Sequence, residues 1–190
     1  MGYELNKFPS GIIPGPLGVT DLINKKPNVI DFYNLLDKDL KDNFIYSPKR
    51  SNDERFLKYL KKNIGHQKIA PIRSFNSIRL ESKIIICSYP QTGFLESMLH
   101  GPTILLCDLD KWKFDRKFKK EYDLLVKNKI AFFSEEKAAD YLNKNINDIE
   151  KKWWSNQNQL IINKFFKNFY MPSKEPLNKW MNFIKNEFFC

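Results

Sequence analysis

The stretch KIIICS at residues 83–88 decides the fold class, because it is a run of β-branched side chains without polar alternation. A strand that is apolar on both faces is typical of a parallel sheet covered by helices on both sides. Two further apolar runs follow it, TILLC at residues 103–107 and IAFFS at residues 130–134. The sequence therefore predicts three buried parallel strands in an α/β domain.

Helical patterns separate and follow these strands. Residues 91–100 form an apolar helix that Gly101 and Pro102 terminate, and residues 115–128 form a charged amphipathic helix. Ser134 then begins a helix that runs to about residue 145. This alternation is the pattern of a parallel sheet with right-handed crossovers, so we expect a Rossmann-like sheet with flanking helices.

The segments outside this core divide the chain. Residues 1–28 are rich in Gly and Pro and predict an irregular N-terminal segment. The Rossmann-like domain is expected over residues 29–147, and residues 148–190 predict a helical C-terminal extension because they contain no strand pattern. Within the domain, four elements are expected before the first buried strand: a helix at 29–40, a strand at 43–47, a helix from Ser51 or Asn52 to about 63, and a short helix at 75–81.

Composition limits the kinds of partner. The 190 residues carry a formal net charge of +10, which favours an anionic ligand or surface. The Lys residues are dispersed and no nucleic-acid motif is present, so we expect no nucleic-acid partner. No signal peptide or membrane span is predicted, which favours the cytoplasm. The basic, aromatic final helices, with Lys164, Lys167, Lys179 and Lys185, suggest peripheral contact with an anionic membrane as an alternative.

The turn after the first buried strand is the predicted ligand site. Ligands of open parallel sheets bind beyond the carboxyl ends of the strands, and Ser88, Gln91 and Thr92 offer polar side chains there. Gly93 permits close approach of a ligand to the backbone, and the helix N-terminus favours a phosphate. Glu96, one turn into the helix, can accept hydrogen bonds from a ribose diol. Alternatively, Ser88 and Thr92 only cap the helix and Glu96 offsets its dipole.

Two runs of sequence carry a resemblance to a known family. They are SYPQTGFLESMLHGPTILL, at residues 88–106, and YDLLVKNKIAFFSEEKAADYLN, at residues 122–143, followed by Trp153 and Trp154. The chain resembles the C-terminal part of transferases encoded with bacterial surface-polysaccharide genes. Those proteins look like GT-B glycosyltransferases, which hold a nucleotide-sugar between two Rossmann-like domains.

The resemblance implies that this chain is the donor-binding half of such a glycosyltransferase. Thr92 and Gly93 would face the diphosphate, Glu96 the ribose, and Arg50 a phosphate from the neighbouring loop, whereas Lys49 is interpreted as surface charge. The implied partners are a nucleotide-sugar donor, a glycan or lipid-linked acceptor, and a separate N-terminal Rossmann domain, because family members are longer. The resemblance implies no metal and no further cofactor.

Two other functions remain open. The chain could be a non-catalytic remnant or binding module with the same fold. It could also be a metal-dependent sugar-nucleotide enzyme, because Asp108 and Asp110 follow a strand as an Asp-x-Asp pair that can hold Mg²⁺ or Mn²⁺. The two histidines, His66 and His100, lack the neighbours of a zinc site, and His100 is interpreted as a helix-end residue and not as a general base.

Overall fold

Three short strands form one parallel sheet in the computed structural model, which describes residues 29–48, 54–71, 75–88, 90, 92–107, 119–169 and 181. The strands are β1 (Ile85–Cys87), β2 (Thr103–Leu106) and β3 (Ala131–Phe132), in the order β1-β2-β3. Residue Ile86 pairs with Ile104, and Leu105 pairs with Ala131. The sheet confirms the α/β class and the Rossmann-like parallel arrangement.

Helices account for most of the described chain. Those before the sheet are α1 (Val29–Leu35), α2 (Lys38–Asn43), α3 (Glu54–Ile64) and α4 (Phe75–Glu81). Those between and after the strands are α5 (Thr92–His100), α6 (Lys119–Lys127), α7 (Glu135–Asn145), α8 (Ile149–Trp153) and α9 (Asn156–Phe169). Two single-turn 3-10 helices, His66–Lys68 and Ile146–Asp148, connect neighbouring elements.

The central strand β2 contributes to a separate apolar layer on each face of the sheet. Leu105 and Cys107 belong to one layer, and Ile104 and Leu106 belong to the other, as expected from side chains that alternate between faces. The first layer is completed from α5, α6 and α9 by Phe94, Met98, Tyr122, Leu125, Ile162, Phe165 and Phe166. The second is completed by Phe32 of α1, by Leu36 directly after that helix, and by Ala138, Ala139 and Leu142 of α7. This burial on both faces explains why the strand residues are apolar except for Thr103, whose buried hydroxyl donates a hydrogen bond to the Gly101 carbonyl.

The predicted helix at 29–40 is wrong in one respect, because the structure divides it into α1 and α2. The break at Asp37 is held by Asn143 of α7. The Asn143 Oδ1 accepts a hydrogen bond of 2.9 Å from the Asp37 N–H, and its Nδ2 donates one of 3.0 Å to the Leu35 carbonyl. This long-range contact supplies hydrogen-bond partners for backbone groups at the helix ends. The apolar periodicity of one segment cannot reveal such a contact.

The predicted strand at 43–47 is reduced to a single parallel bridge between Tyr46 and Ile69. The Tyr46 N–H donates to the Lys68 carbonyl, and the Ala70 N–H donates to the Tyr46 carbonyl. The Lys68 side chain is buried, and its Nζ donates to the Asp42 carbonyl at the end of α2. The segment around Tyr46 is held by its contacts with Lys68 and α3, and not by a longer strand ladder.

The C-terminal helices pack onto the same sheet. Trp153 of α8 and Phe165 of α9 belong to the apolar layer that Leu105 enters. Of the predicted extension beyond residue 169, only Met181 lies within the described residues, and the division at residue 147 stays a prediction. Within the described part of the chain, no helix has the length and apolar character needed to cross a membrane.

Lys129 occupies an unfavourable backbone conformation at the end of α6. Its φ is 60°, in the left-handed region where glycine is preferred. The Ile130 N–H donates to the Leu125 carbonyl and the Lys129 N–H to the Val126 carbonyl, which is the Schellman arrangement. A residue with a side chain is destabilised by about 1–2 kcal/mol in this conformation. Replacement by glycine removes that cost, but glycine has more conformational freedom in the unfolded state, which offsets part of the gain.

We therefore expect Lys129→Gly to raise the free energy of unfolding by about 0.5–1 kcal/mol in urea denaturation. The matched control is Lys127→Gly, in the last turn of α6, where the same substitution should lower the free energy of unfolding. Equal effects of the two substitutions would contradict the assignment of strain to Lys129.

Candidate functional site

The carboxyl ends of the three strands lie at one edge of the sheet because the strands are parallel. Ser88 follows β1, Cys107 follows β2, and Phe133 follows β3. Helix α5 begins at this edge, since Thr92 comes only four residues after Ser88. The predicted site residues of this turn therefore lie at the edge where parallel sheets bind their ligands.

Helix α5 has one buried face and one outward face. Gly93, Phe94, Ser97 and Met98 are buried against the sheet. Thr92 is exposed and Glu96 is partly exposed, and a spacing of four residues puts both on the same side of the helix. Two of the predicted ligand contacts thus share the outward face of α5, while Gly93 lies on the inward face.

Ser97 fixes the first turn of α5 against β1. Its Oγ donates a hydrogen bond of 2.7 Å to the Gly93 carbonyl and also interacts with the Cys87 thiol at the end of β1. Ser97 is 1 % exposed, so water does not compete for these contacts. The orientation of the helix N-terminus is therefore set before any ligand arrives, which lowers the entropic cost of binding.

The electrostatic character of this helix end favours an external anion. The first N–H groups of a helix have no intrahelical partner, and the helix dipole adds partial positive charge there. The first turn of α5 contains no acidic residue, whereas Glu135 and Glu136 stand in the first turn of α7. The Ser134 Oγ also caps α7 by accepting from the Lys137 N–H. Of these two helix starts, only that of α5 lacks its own anionic groups.

The other predicted residues divide into one that is buried and several outside the described residues. Ser88 is only 8 % exposed, so the Ser88 side chain is less accessible than the prediction required. Gln91 and Arg50 lie outside the described residues, as do Lys49 and the Asp108 and Asp110 pair. The predicted roles of all these residues stay predictions.

The Cys87 thiol at this edge is not a nucleophile at neutral pH. Burial raises the pKa of Cys87 to about 11, and the hydrogen bond with Ser97 only partly opposes this effect. Since the thiolate is the reactive form, almost none is present near pH 7.

Neither of the two histidines lies beside Thr92. His100 is exposed at the far end of α5, about 12 Å from Thr92 at 1.5 Å per residue. His66 is exposed in a different part of the fold. The described residues include no group of three or more His, Cys, Asp or Glu side chains that could hold a metal ion.

Two residues that shape the carboxyl edge of the sheet could not be identified from the sequence. Phe133 is 37 % exposed directly after β3, at the same edge as Thr92. The pattern assigned it to the strand, although the helix cap at Ser134 indicates that the strand must end earlier. Ser97 carries no sequence signal for its role, because its contact with Cys87 depends on how α5 packs on β1.

The fold and this edge define the class: a Rossmann-like α/β domain with an anion-compatible helix N-terminus beyond a parallel strand. Residues 18–184 match the sequence profile of the LIC12162 family transferase, and the chain belongs to that family. The match confirms the transferase part of the resemblance. No significant match was found among curated proteins or among solved structures.

Proposed function

We propose that the chain binds the nucleotide-sugar donor of a glycosyl transfer reaction at the carboxyl edge of its sheet. The observation that carries the proposal is the start of α5, where Thr92 and Glu96 share an outward face at the N-terminus of a helix whose first turn contains no acidic residue. Membership of a transferase family supports a group-transfer reaction. The GT-B resemblance supplies the class of donor.

Each part of the donor has a proposed contact. The diphosphate accepts hydrogen bonds from the N–H groups of Thr92 and Gly93 and from the Thr92 hydroxyl. The Glu96 carboxylate accepts from the ribose hydroxyls, and it has no hydrogen-bond or ion-pair partner among the described residues that would compete. Arg50 and Gln91 are proposed to approach from adjacent loops, and Ser88 to support the turn through its backbone.

The chemical contribution of this site is stabilisation of the leaving diphosphate. Negative charge develops on the diphosphate as the sugar departs, and preorganised N–H groups stabilise such charge without a metal ion. The acceptor is proposed to be a surface glycan or its lipid-linked precursor, bound with the help of a separate Rossmann domain. Cytoplasmic location, with peripheral contact at the inner membrane face, is part of the same proposal.

Calorimetric titration with UDP-, GDP-, CDP- and CMP-linked sugars tests the proposal. We expect saturable binding of one nucleotide class, weakened about tenfold or more by Glu96→Ala, since a hydrogen bond to a charged group contributes about 1.5–3 kcal/mol. The matched control is Glu150→Ala, because Glu150 is exposed on α8 and distant in sequence from the turn.

Three results would contradict parts of the proposal. Absence of binding to all four classes would favour a non-catalytic module of the same fold. Equal weakening by Glu96→Ala and Glu150→Ala would remove the ribose contact. Loss of binding in EDTA would favour a metal ion held by Asp108 and Asp110, and retention of binding would argue against that alternative.

A further inference from the structure

A second concave site lies at the opposite, amino-terminal edge of the sheet. It is a shallow cleft, partly open to solvent, whose enclosed part has room for roughly one water molecule. Its lining includes Ile84 and Pro102, which immediately precede β1 and β2, and Lys129, which lies two residues before β3. Four strand residues at about 3.3 Å each separate this edge from the carboxyl edge by about 13 Å. The cleft is therefore distinct from the candidate donor site at Thr92. Because the enclosed space is so small, a ligand larger than water enters only if the lining side chains move apart.

The wall of this cleft contains a buried hydrogen-bond donor without a partner. Trp153 lines the cleft and is 4 % exposed, and its indole Nε1 has no hydrogen-bond partner among the described residues. An unsatisfied buried donor carries a desolvation cost, whereas most buried polar groups are paired. The indole nitrogen can only donate, so the missing partner must be an acceptor.

Two lysines give the same cleft a positive character. Lys129 and Lys152 both line it, and the part of the chain that the structure describes offers no ion-pair partner to Lys129. The Lys152 Nζ donates to the Asn145 Oδ1, which is neutral and leaves the lysine charge uncompensated. Donors of this kind, together with the indole N–H, match an oxyanion, whose oxygens only accept hydrogen bonds.

We propose that this cleft binds a small oxyanion, a phosphate or a carboxylate group, with Trp153 Nε1 and Lys129 Nζ as donors. The Nε1 atom is covered, so binding requires the side chains around it to shift. The long, unbranched lysine side chains are suited to such a movement, because they have many accessible rotamers. Binding would then satisfy the indole N–H and neutralise the local charge together.

Nuclear magnetic resonance of the indole N–H groups tests this proposal on the full chain. The Trp153 signal is identified by its loss in Trp153→Phe, which keeps an aromatic ring and removes the donor. Titration with inorganic phosphate should shift this signal saturably, and acetate in a parallel titration separates phosphate from carboxylate preference. Sodium chloride at matched ionic strength should leave the signal unchanged.

Further variants separate the site from general effects of charge and folding. Lys129→Asn removes the charge with a residue that tolerates a left-handed backbone, and should weaken phosphate binding about tenfold or more while Trp153 remains as reporter. Trp154→Phe is the matched control, because Trp154 is adjacent but 52 % exposed, and it should leave the titration unchanged. Glu96→Ala should also leave phosphate binding at the cleft unchanged. Failure of the donor-site proposal can therefore be distinguished from failure of the cleft proposal.

Several results would overturn the proposal. One is an unchanged Trp153 signal with both phosphate and acetate, which would leave a trapped water as the partner of the indole. Another is an equal shift with sodium chloride. A third is a phosphate affinity that does not respond to Lys129→Asn.

Discussion

Replacing Leu105 by alanine should lower the free energy of unfolding by about 3 kcal/mol, within the range of about 2–5 kcal/mol for buried Leu→Ala changes. Leu105 is fully buried at the centre of β2, and its backbone pairs with Cys87 on one side and Ala131 on the other. The side chain belongs to the layer shared with α5, α6 and α9. Packing on both sides of the strand leaves little freedom for the surroundings to fill the cavity.

Urea denaturation of the two forms measures this loss. Leu160→Ala is the matched control, because Leu160 is 70 % exposed on α9 and its replacement should change the free energy of unfolding by less than about 0.5 kcal/mol. Similar losses for the two substitutions would mean that the layer around Leu105 is not tightly packed.

Alkaline pH should destabilise the fold through Cys87. The ordinary pKa of a cysteine thiol is 9.0, and that of Cys87 rises to about 11 in the folded chain, chiefly because the thiol is buried. The folded state therefore keeps a proton that the unfolded state loses, and the free energy of unfolding falls between about pH 9 and pH 11. Two pKa units correspond to a loss of at most about 3 kcal/mol, with stability from this group fully present below pH 9.

Comparison with Cys87→Ala isolates the thiol in this pH range. Denaturation at pH 8, 9, 10 and 11 should give a shallower decline for the variant than for the wild type. The free energy of unfolding of the variant should still fall somewhat with pH, because the pKa of Tyr122 is also raised, chiefly by burial and to a lesser extent by the nearby Cys107. Parallel declines in the two proteins would rule out Cys87 as the titrating group.

The three strands and the helices between them could be predicted because their patterns are local. The run at residues 83–88 contains β1, and the cap at Ser134 correctly begins α7. The division into α1 and α2 could not be predicted, because it depends on Asn143 more than 100 residues away. The reduced strand at Tyr46 likewise depends on its partner Ile69 and on Lys68.

The place of the polar turn in the fold was predictable, whereas its role as a ligand site stays a prediction. A polar turn after an apolar run located the edge at which Thr92 and Glu96 face outward. The burial of Ser88, the exposure of Phe133 and the role of Ser97 each arise from tertiary packing. The Trp153 cleft also required the fold, because a tryptophan in an aromatic segment normally predicts core packing.

The contact between α1 and α7 has a consequence during synthesis on the ribosome. Leu142, which packs in the same layer as Phe32 and Leu36, is made more than 100 residues after them, as is Asn143, which bonds the backbone on either side of Leu36. At about 5–20 residues per second, the early apolar side chains wait roughly 5–20 s for these partners. The layer containing α1 is thus completed well after α1 is made, and the nascent chain must keep those side chains from associating with other molecules until then.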